Sequence, residues 1–130
     1  MMNSCIFCNI PSENKLMETQ NFYVLFDINP VQEGHLLIIS KAHIMNVVNL
    51  DETMLLELGK LEQSLVTIIE ANFDVLGVTL ERNNGRTMMA GTHFHEHLIP
   101  RYPGDKFFDN QEIVKFELDT DRLKALIIEN

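Results

Sequence analysis

The sequence predicts an α+β domain with a mainly antiparallel sheet, one long helix and a short C-terminal helix. Three observations carry this. Short apolar segments bounded by turn residues read as strands; one long segment repeats apolar residues at helical spacing and interrupts them; and 130 residues suit a single domain spanning 1–130.

Taken in order, residues 15–18 and 21–26 read as two short strands. Asp27-Ile28-Asn29-Pro30 and Glu33-Gly34 then supply turn chemistry. Residues 35–40, His-Leu-Leu-Ile-Ile-Ser, form the near-continuous apolar run of a strand buried on both faces, with His35 read as one more buried strand residue. Lys41-Ala42-His43 closes it. The long helix is expected over 51–73, where Met54, Leu58, Leu61, Leu65, Ile68 and Ile69 make one apolar stripe. Asn49 or Asp51 can cap its start, and Gly59 weakens it slightly without ending it. Residues 75–81 read as a strand, Asn83-Asn84-Gly85 as a polar loop, and 92–99 as a strand stopped by Pro100. A short helix follows over 121–129, with Leu123, Leu126 and Ile127 expected on its buried side. There is no internal repeat, low-complexity tract or linker.

Composition excludes some functions. With 45% hydrophobic and 22% charged residues the chain is globular in type. Its net charge of −9 argues against coating nucleic acid or an anionic membrane, since both require a basic face. No apolar run approaches the ~20 residues of a membrane helix, and the N-terminus lacks the basic start and apolar core of a secretory signal. A cytoplasmic location is therefore expected. There the two cysteines, Cys5 and Cys8, suggest metal or redox chemistry rather than a structural disulfide.

The most informative segment is His93-Phe94-His95-Glu96-His97-Leu98-Ile99-Pro100-Arg101. On a strand, His93, His95 and His97 share one face, with neighbouring imidazoles roughly 6–7 Å apart. A single strand histidine is ordinarily structural. Three together cost polar desolvation for little packing gain, which points to function. Two chemistries fit the spacing alone: a three-histidine catalytic zinc site, or one nucleophilic histidine oriented by its neighbours.

The segment resembles the signature of the histidine triad (HIT) superfamily of nucleotide hydrolases and transferases. Its companions fall in that family's order: Cys5-Ile6-Phe7-Cys8, Phe26-Asp27-Ile28-Asn29-Pro30, Gly34-His35-Leu36-Leu37-Ile38-Ile39, Lys41-Ala42-His43 and Asn83-Asn84-Gly85. The resemblance runs from Cys5 to about Asp105 and implies a HIT-like fold, a homodimer and a reaction at an α-phosphate. His95 would attack phosphorus to form a covalent nucleotidyl-imidazole that water cleaves, with a backbone carbonyl near the preceding strand holding its other ring nitrogen. His97 would contact the phosphate. Asp27 resembles the family acid that accepts the ribose hydroxyls, Ile28 would lie beside the base, and Asn84 or Asn83 would face the ribose-phosphate. Three arginines and one acid between Arg82 and Arg101 give that stretch a local +2, which agrees with a phosphate ligand.

Cys5-x-x-Cys8 supplies half of a tetrahedral set. Within the superfamily some members carry zinc on such cysteines, and the resemblance implies a structural zinc on Cys5, Cys8, His43 and His93. His93 would then brace the ridge rather than move protons. In zinc-free relatives the residue matching His43 assists the active site instead.

Two departures stand out. Glu96 occupies a position that the family fills with an apolar residue, and calls for a partner such as an arginine or a group across a dimer. Met88-Met89 stand where relatives usually carry Gly-Gln. Thr92, Thr87 or a backbone N–H near Gly91 would have to donate to the phosphate oxygens in their place, and losing one such donor typically costs ~10²–10³ in rate. The resemblance thus favours a hydrolase or transferase for a purine nucleoside phosphoramidate or dinucleoside polyphosphate. A nucleotide-binding module with little turnover and a three-histidine zinc hydrolase are the alternatives.

Overall fold

The computed structural model describes residues 5–109 and 111–130. The first four residues, read above as carrying no secretory leader, lie outside that range. Five strands form one antiparallel sheet: β1 (Met17–Glu18), β2 (Phe22–Phe26), β3 (Leu36–Ser40), β4 (Gly77–Arg82) and β5 (His95–Arg101). Their order is β1-β2-β3-β5-β4, so β5 sits inside the sheet. Helix α1 (Glu52–Asn72) packs on one face and α2 (Thr120–Glu129) ends the chain. Among the described residues no helix is long and apolar enough to cross a membrane.

Both faces of β2 and β3 are covered, which is why these strands read as unbroken apolar runs. Phe22, Val24, Leu36, Ile38 and Leu98 point toward Leu58, Leu61, Leu65 and Ile69 of α1. The alternate residues Tyr23, Leu25, Leu37 and Ile39 pack under Cys5 and Phe7 of the N-terminal segment. That segment has no strand partner and is built from two short 3₁₀ turns, Ile6–Cys8 and Ser12–Asn14. α1 begins at the Asp51 cap, whose Oδ1 accepts from the Met54 N–H at 2.8 Å. Asn49 lies in a preceding 3₁₀ turn instead. Glu57 fastens the helix to the β1–β2 turn by accepting from Thr19 Oγ1 and from the Asn21 backbone and amide nitrogens.

Several boundaries differ from the sequence expectation. β5 starts at His95 rather than at residue 92: β3 ends at Ser40, whose N–H still donates to the Phe94 carbonyl, but the Phe94 N–H turns to the Ile44 carbonyl in the turn after β3 and the ladder goes no further. Pro100 does not stop the strand. Pairing of β5 with β3 ends at Leu98–Leu36, so from there only β4 borders the proline, opposite Val78. Ile68 turns outward and is half exposed. On α2 the expectation fails outright: Leu123, Leu126 and Ile127 are exposed, and among the described residues none of the helix is buried.

Candidate functional site

The histidine face of β5 is the side that the N-terminal segment covers. Register sets this, because His95 pairs with Ile39 and His97 with Leu37, both members of the cluster under Cys5 and Phe7. The rings of His95 and His97 are 4.9 Å apart, and Phe7 lies 4.9 Å from His95 and 5.8 Å from His93. Beside them opens a cleft of about 260 Å³, lined by His95, His97, Thr92 and Met89 on one side and by Asp27, Ile28 and Phe26 on the other. Ile6, Phe7, Asn9, Ile10, Pro11 and Asn14 form its remaining wall.

Hydrogen bonds assign the protons on these rings. His95 Nδ1 is 2.8 Å from the His93 carbonyl, which can only accept, so Nδ1 carries hydrogen and the lone pair of the neutral ring is on Nε2. The carbonyl belongs to the triad segment itself, two residues upstream. A further relay reaches His97. His35 Nδ1 accepts from the Val31 N–H at 3.1 Å, so neutral His35 holds its proton on Nε2, which lies 2.9 Å from His97 Nδ1. His97 Nδ1 therefore accepts and its Nε2–H is free to donate. Burial, followed by the neighbouring His95 and His35, pushes His97 down to about 4 against the pull of Asp27. Burial lowers His35 too, with Asp27 opposing. Asp27 Oδ2 is 3.4 Å from His35 Nε2 and 3.9 Å from His97 Nδ1, while Oδ1 accepts from the Asn29 N–H.

His35 is the site residue that sequence reasoning left structural. Its signal was legible: a polar residue opening an otherwise apolar strand, just after the Asp27 turn. Only the β3–β5 register, which sets it diagonal to His97, shows what it touches.

The second cluster joins Cys5, Cys8, His43 and His93, whose donor atoms all lie within 4.8 Å of one another. His93 Nδ1 is 3.2 Å from Cys5 Sγ and 3.6 Å from Cys8 Sγ, and His43 Nδ1 is 3.2 Å from Cys8 Sγ. Tetrahedral zinc on sulfur and nitrogen needs donor atoms ~3.3–3.8 Å apart, and the three sulfur–nitrogen distances of 3.2, 3.2 and 3.6 Å lie in or close to that range. The outer shell fits as well. His93 Nε2 donates to the Ser40 carbonyl at 2.6 Å, which leaves Nδ1 as the donor atom toward the thiols. With His93 so engaged and His95 Nδ1 on a carbonyl, the three triad rings do not converge on one ion.

Other expected groups stand apart from the cleft. Asn83 and Asn84 are exposed and outside its lining; the Asn84 side-chain oxygen accepts from the Val47 N–H. Thr92 lines the cleft but gives its hydroxyl hydrogen to the Met89 carbonyl, and the exposed Thr87 bonds the Asn84 carbonyl. Met88 is buried, whereas Met89 faces the cleft. The local positive charge is spent elsewhere: Arg82 pairs with Glu96 and Arg101 with Asp105, and none of the three arginines lines the cleft. Glu96 finds its partner within the chain, since β4–β5 register sets Arg82 directly opposite, with Nε 3.3 Å from Oε2.

Comparison with known proteins gives a consistent picture. A family model described as the HIT domain matches residues 9–104. An adenosine 5′-monophosphoramidase of Candida albicans is 34% identical over 108 residues, covering 75% of this chain and 70% of its own. A HIT family protein from Bacillus anthracis has a similar structure, with a TM-score of 0.73 at 28% identity, covering 96% of this chain and 93% of that one. A zinc-bound histidine triad family protein from Mycobacterium smegmatis gives 0.67 at 25% identity, covering 94% and 87%.

Proposed function

The chain belongs to the HIT family, and on that premise we propose that it hydrolyses the phosphoramidate bond of a purine nucleoside phosphoramidate through His95. The observation that carries this is the Nδ1–H···O=C bond from His95 to His93, which leaves Nε2 as a neutral nucleophile at a cleft shared with His97 and Asp27. His95 Nε2 attacks the α-phosphorus, the P–N bond breaks, and the amine leaves with a proton taken from solvent. Water then cleaves the nucleotidyl-imidazole, releasing the nucleoside monophosphate. Neutral His97 donates its Nε2–H to a phosphoryl oxygen, and Asp27 accepts from the ribose hydroxyls. Ile28, Phe26 and Ile10 flank the base. About 260 Å³ lies just below the ~300 Å³ at which small-molecule pockets usually begin. That size favours one nucleotide over a dinucleoside polyphosphate, in line with the activity named for the Candida relative.

The reading includes zinc on Cys5, Cys8, His43 and His93, where it would hold the N-terminal segment against the triad. It also includes a homodimer. Among the described residues the outer edge of β4 is unpaired, Leu55, Leu56, Ile68 and Phe73 of α1 and its end are exposed, and so are Phe116 and the apolar side of α2. Light scattering after size exclusion should give twice the 15.0 kDa of one chain; a monomer at micromolar concentration contradicts it.

The decisive test is hydrolysis of a panel of adenosine phosphoramidate, a dinucleoside polyphosphate and a nucleotide sugar by zinc-loaded protein and its His95→Ala variant. Turnover that vanishes in the variant supports the reading. Equal inertness with retained nucleotide binding replaces it with the binding-module reading, for which Met89 at the cleft is the favouring observation. His35→Ala tests the relay. It should lower kcat about 10–100-fold with a smaller change in KM, because the ring that holds the His97 tautomer is gone. Its histidine NMR titration should show His97 moving up from about 4 toward the ordinary 6.5. An unmoved His97 removes His35 from the positioning role.

A further inference from the structure

The donor quartet and the cleft share one stretch of chain. Cys5 and Cys8 bracket the 3₁₀ turn Ile6–Cys8, and the residues that follow run along the cleft as far as Asn14. Ile6, Phe7, Asn9, Ile10, Pro11 and Asn14 make up its outer wall, yet this stretch has no strand partner in the sheet. Besides the sulfur contacts to His93 and His43, it is tied down by the Ile6 N–H to the Gly91 carbonyl at 2.9 Å and by the Tyr23 hydroxyl to the Phe7 carbonyl. Phe7 stands edge-on to both His93 and His95, so one side chain touches a metal donor and the proposed nucleophile.

Resting on the nucleotide reading above, we propose that a metal ion on Cys5, Cys8, His43 and His93 completes the wall of the nucleotide cleft, so that metal and nucleotide each tighten the binding of the other. Two sites that order the same segment are coupled through it. Whichever ligand binds first bears the cost of ordering, and the second binds to a wall already in place. Linkage requires the two effects to be equal. The metal contributes no contact to the nucleotide; it acts by holding residues 6–14 where the base and ribose need them.

The experiment uses zinc and AMP with the full chain. Zinc affinity is measured by chelator competition with and without saturating AMP, and AMP affinity by titration of zinc-loaded and metal-stripped protein. Each ligand should strengthen the other by the same factor, about tenfold or more, within the usual range of allosteric coupling. Backbone hydrogen exchange of the metal-stripped protein supplies a second readout. Protection should fall over residues 6–14 and be regained with AMP, while β2, β3 and β5 stay protected. AMP binding with no change in zinc affinity overturns the coupling alone. Failure of AMP to bind zinc-loaded protein overturns the nucleotide reading together with it. Loss of protection throughout the sheet on metal removal shows that the ion supports folding as a whole, and overturns the local wall.

Discussion

Replacing His95 with alanine should reduce hydrolysis of a nucleoside phosphoramidate by about 10⁴-fold or more, the scale seen when a nucleophile is removed from a covalent mechanism. The loss should fall on kcat. Asp27, Ile28 and the wall from Ile6 to Asn14 remain, so AMP should bind the variant within a few-fold of the parent. Folding should survive: the ring is already at the cleft, packed edge-on against Phe7, and among the described residues its side-chain hydrogen bond runs to a backbone carbonyl two residues away. Quenched-flow trapping gives the direct check. Parent protein should accumulate acid-labile nucleotidyl-protein in proportion to active sites, and the variant none. Label retained by the variant would assign the nucleophile elsewhere.

Glu96→Gln should make the protein more stable at neutral and alkaline pH. Glu96 is 2% exposed on the α1 side of β5. Burial first, then the carboxyl group of Glu62, pushes it up to about 9 from an ordinary 4.5, against the pull of Arg82. Its Oε1 is buried without a geometrically good hydrogen-bond partner among the described residues, and the neighbouring Glu62 carboxyl favours a proton on Glu96, both by sharing that proton and by like-charge repulsion without it. The folded state thus keeps a proton that the unfolded chain releases above about 4.5. Stability from this group is complete below that pH and drains away as pH rises toward about 9. Glutamine is a permanent mimic of the protonated acid, accepting from Arg82 and donating to Glu62. At 1.36 kcal/mol per unit of pKa, with allowance for relaxation around the site, the gain should be about 1–3 kcal/mol at pH 7–8 and vanish near pH 4.5.

The variant also isolates the acid side of the profile. His97 is held down to about 4 and His35 is lowered as well, so the unfolded chain binds protons that the native state refuses. Their contribution is present above about 6.5 and lost as pH falls toward 4. Urea midpoints at pH 5, 7 and 9 should therefore fall from 7 to 9 in the parent and stay level in Glu96→Gln; from 7 to 5 the variant should decline, and the parent, which regains the Glu96 contribution over that range, should decline less. A variant less stable than the parent at pH 8 would contradict the assignment of the proton to Glu96.

Much of this molecule could be read without coordinates, where one local rule was enough. The period of α1, the unbroken apolar run of β3 and the alternation of His93, His95 and His97 each depend on side-chain spacing within a single element. The Cys-x-x-Cys and triad motifs, with their resemblance, also grouped Cys5, Cys8, His43 and His93, whose sulfur and nitrogen atoms the fold gathers within 4.8 Å. What failed were statements that depended on a partner element. Arg82 counted as positive charge for a phosphate until register set it against Glu96, and Arg101 until the turn after β5 brought Asp105 back onto it. Pro100 looked like a strand end because the sequence does not show that β3 stops pairing first. Leu123, Leu126 and Ile127 looked buried because amphipathic period marks an apolar face without saying what covers it. His35 is the sharpest case. Composition made it one more residue of a buried strand, and only the pairing of β3 with β5 brought its Nε2 to His97. Periodicity is a property of neighbours in sequence and survives translation into a line of letters. A proton's position on an imidazole belongs to a contact across 62 residues, and the folded sheet alone decides it.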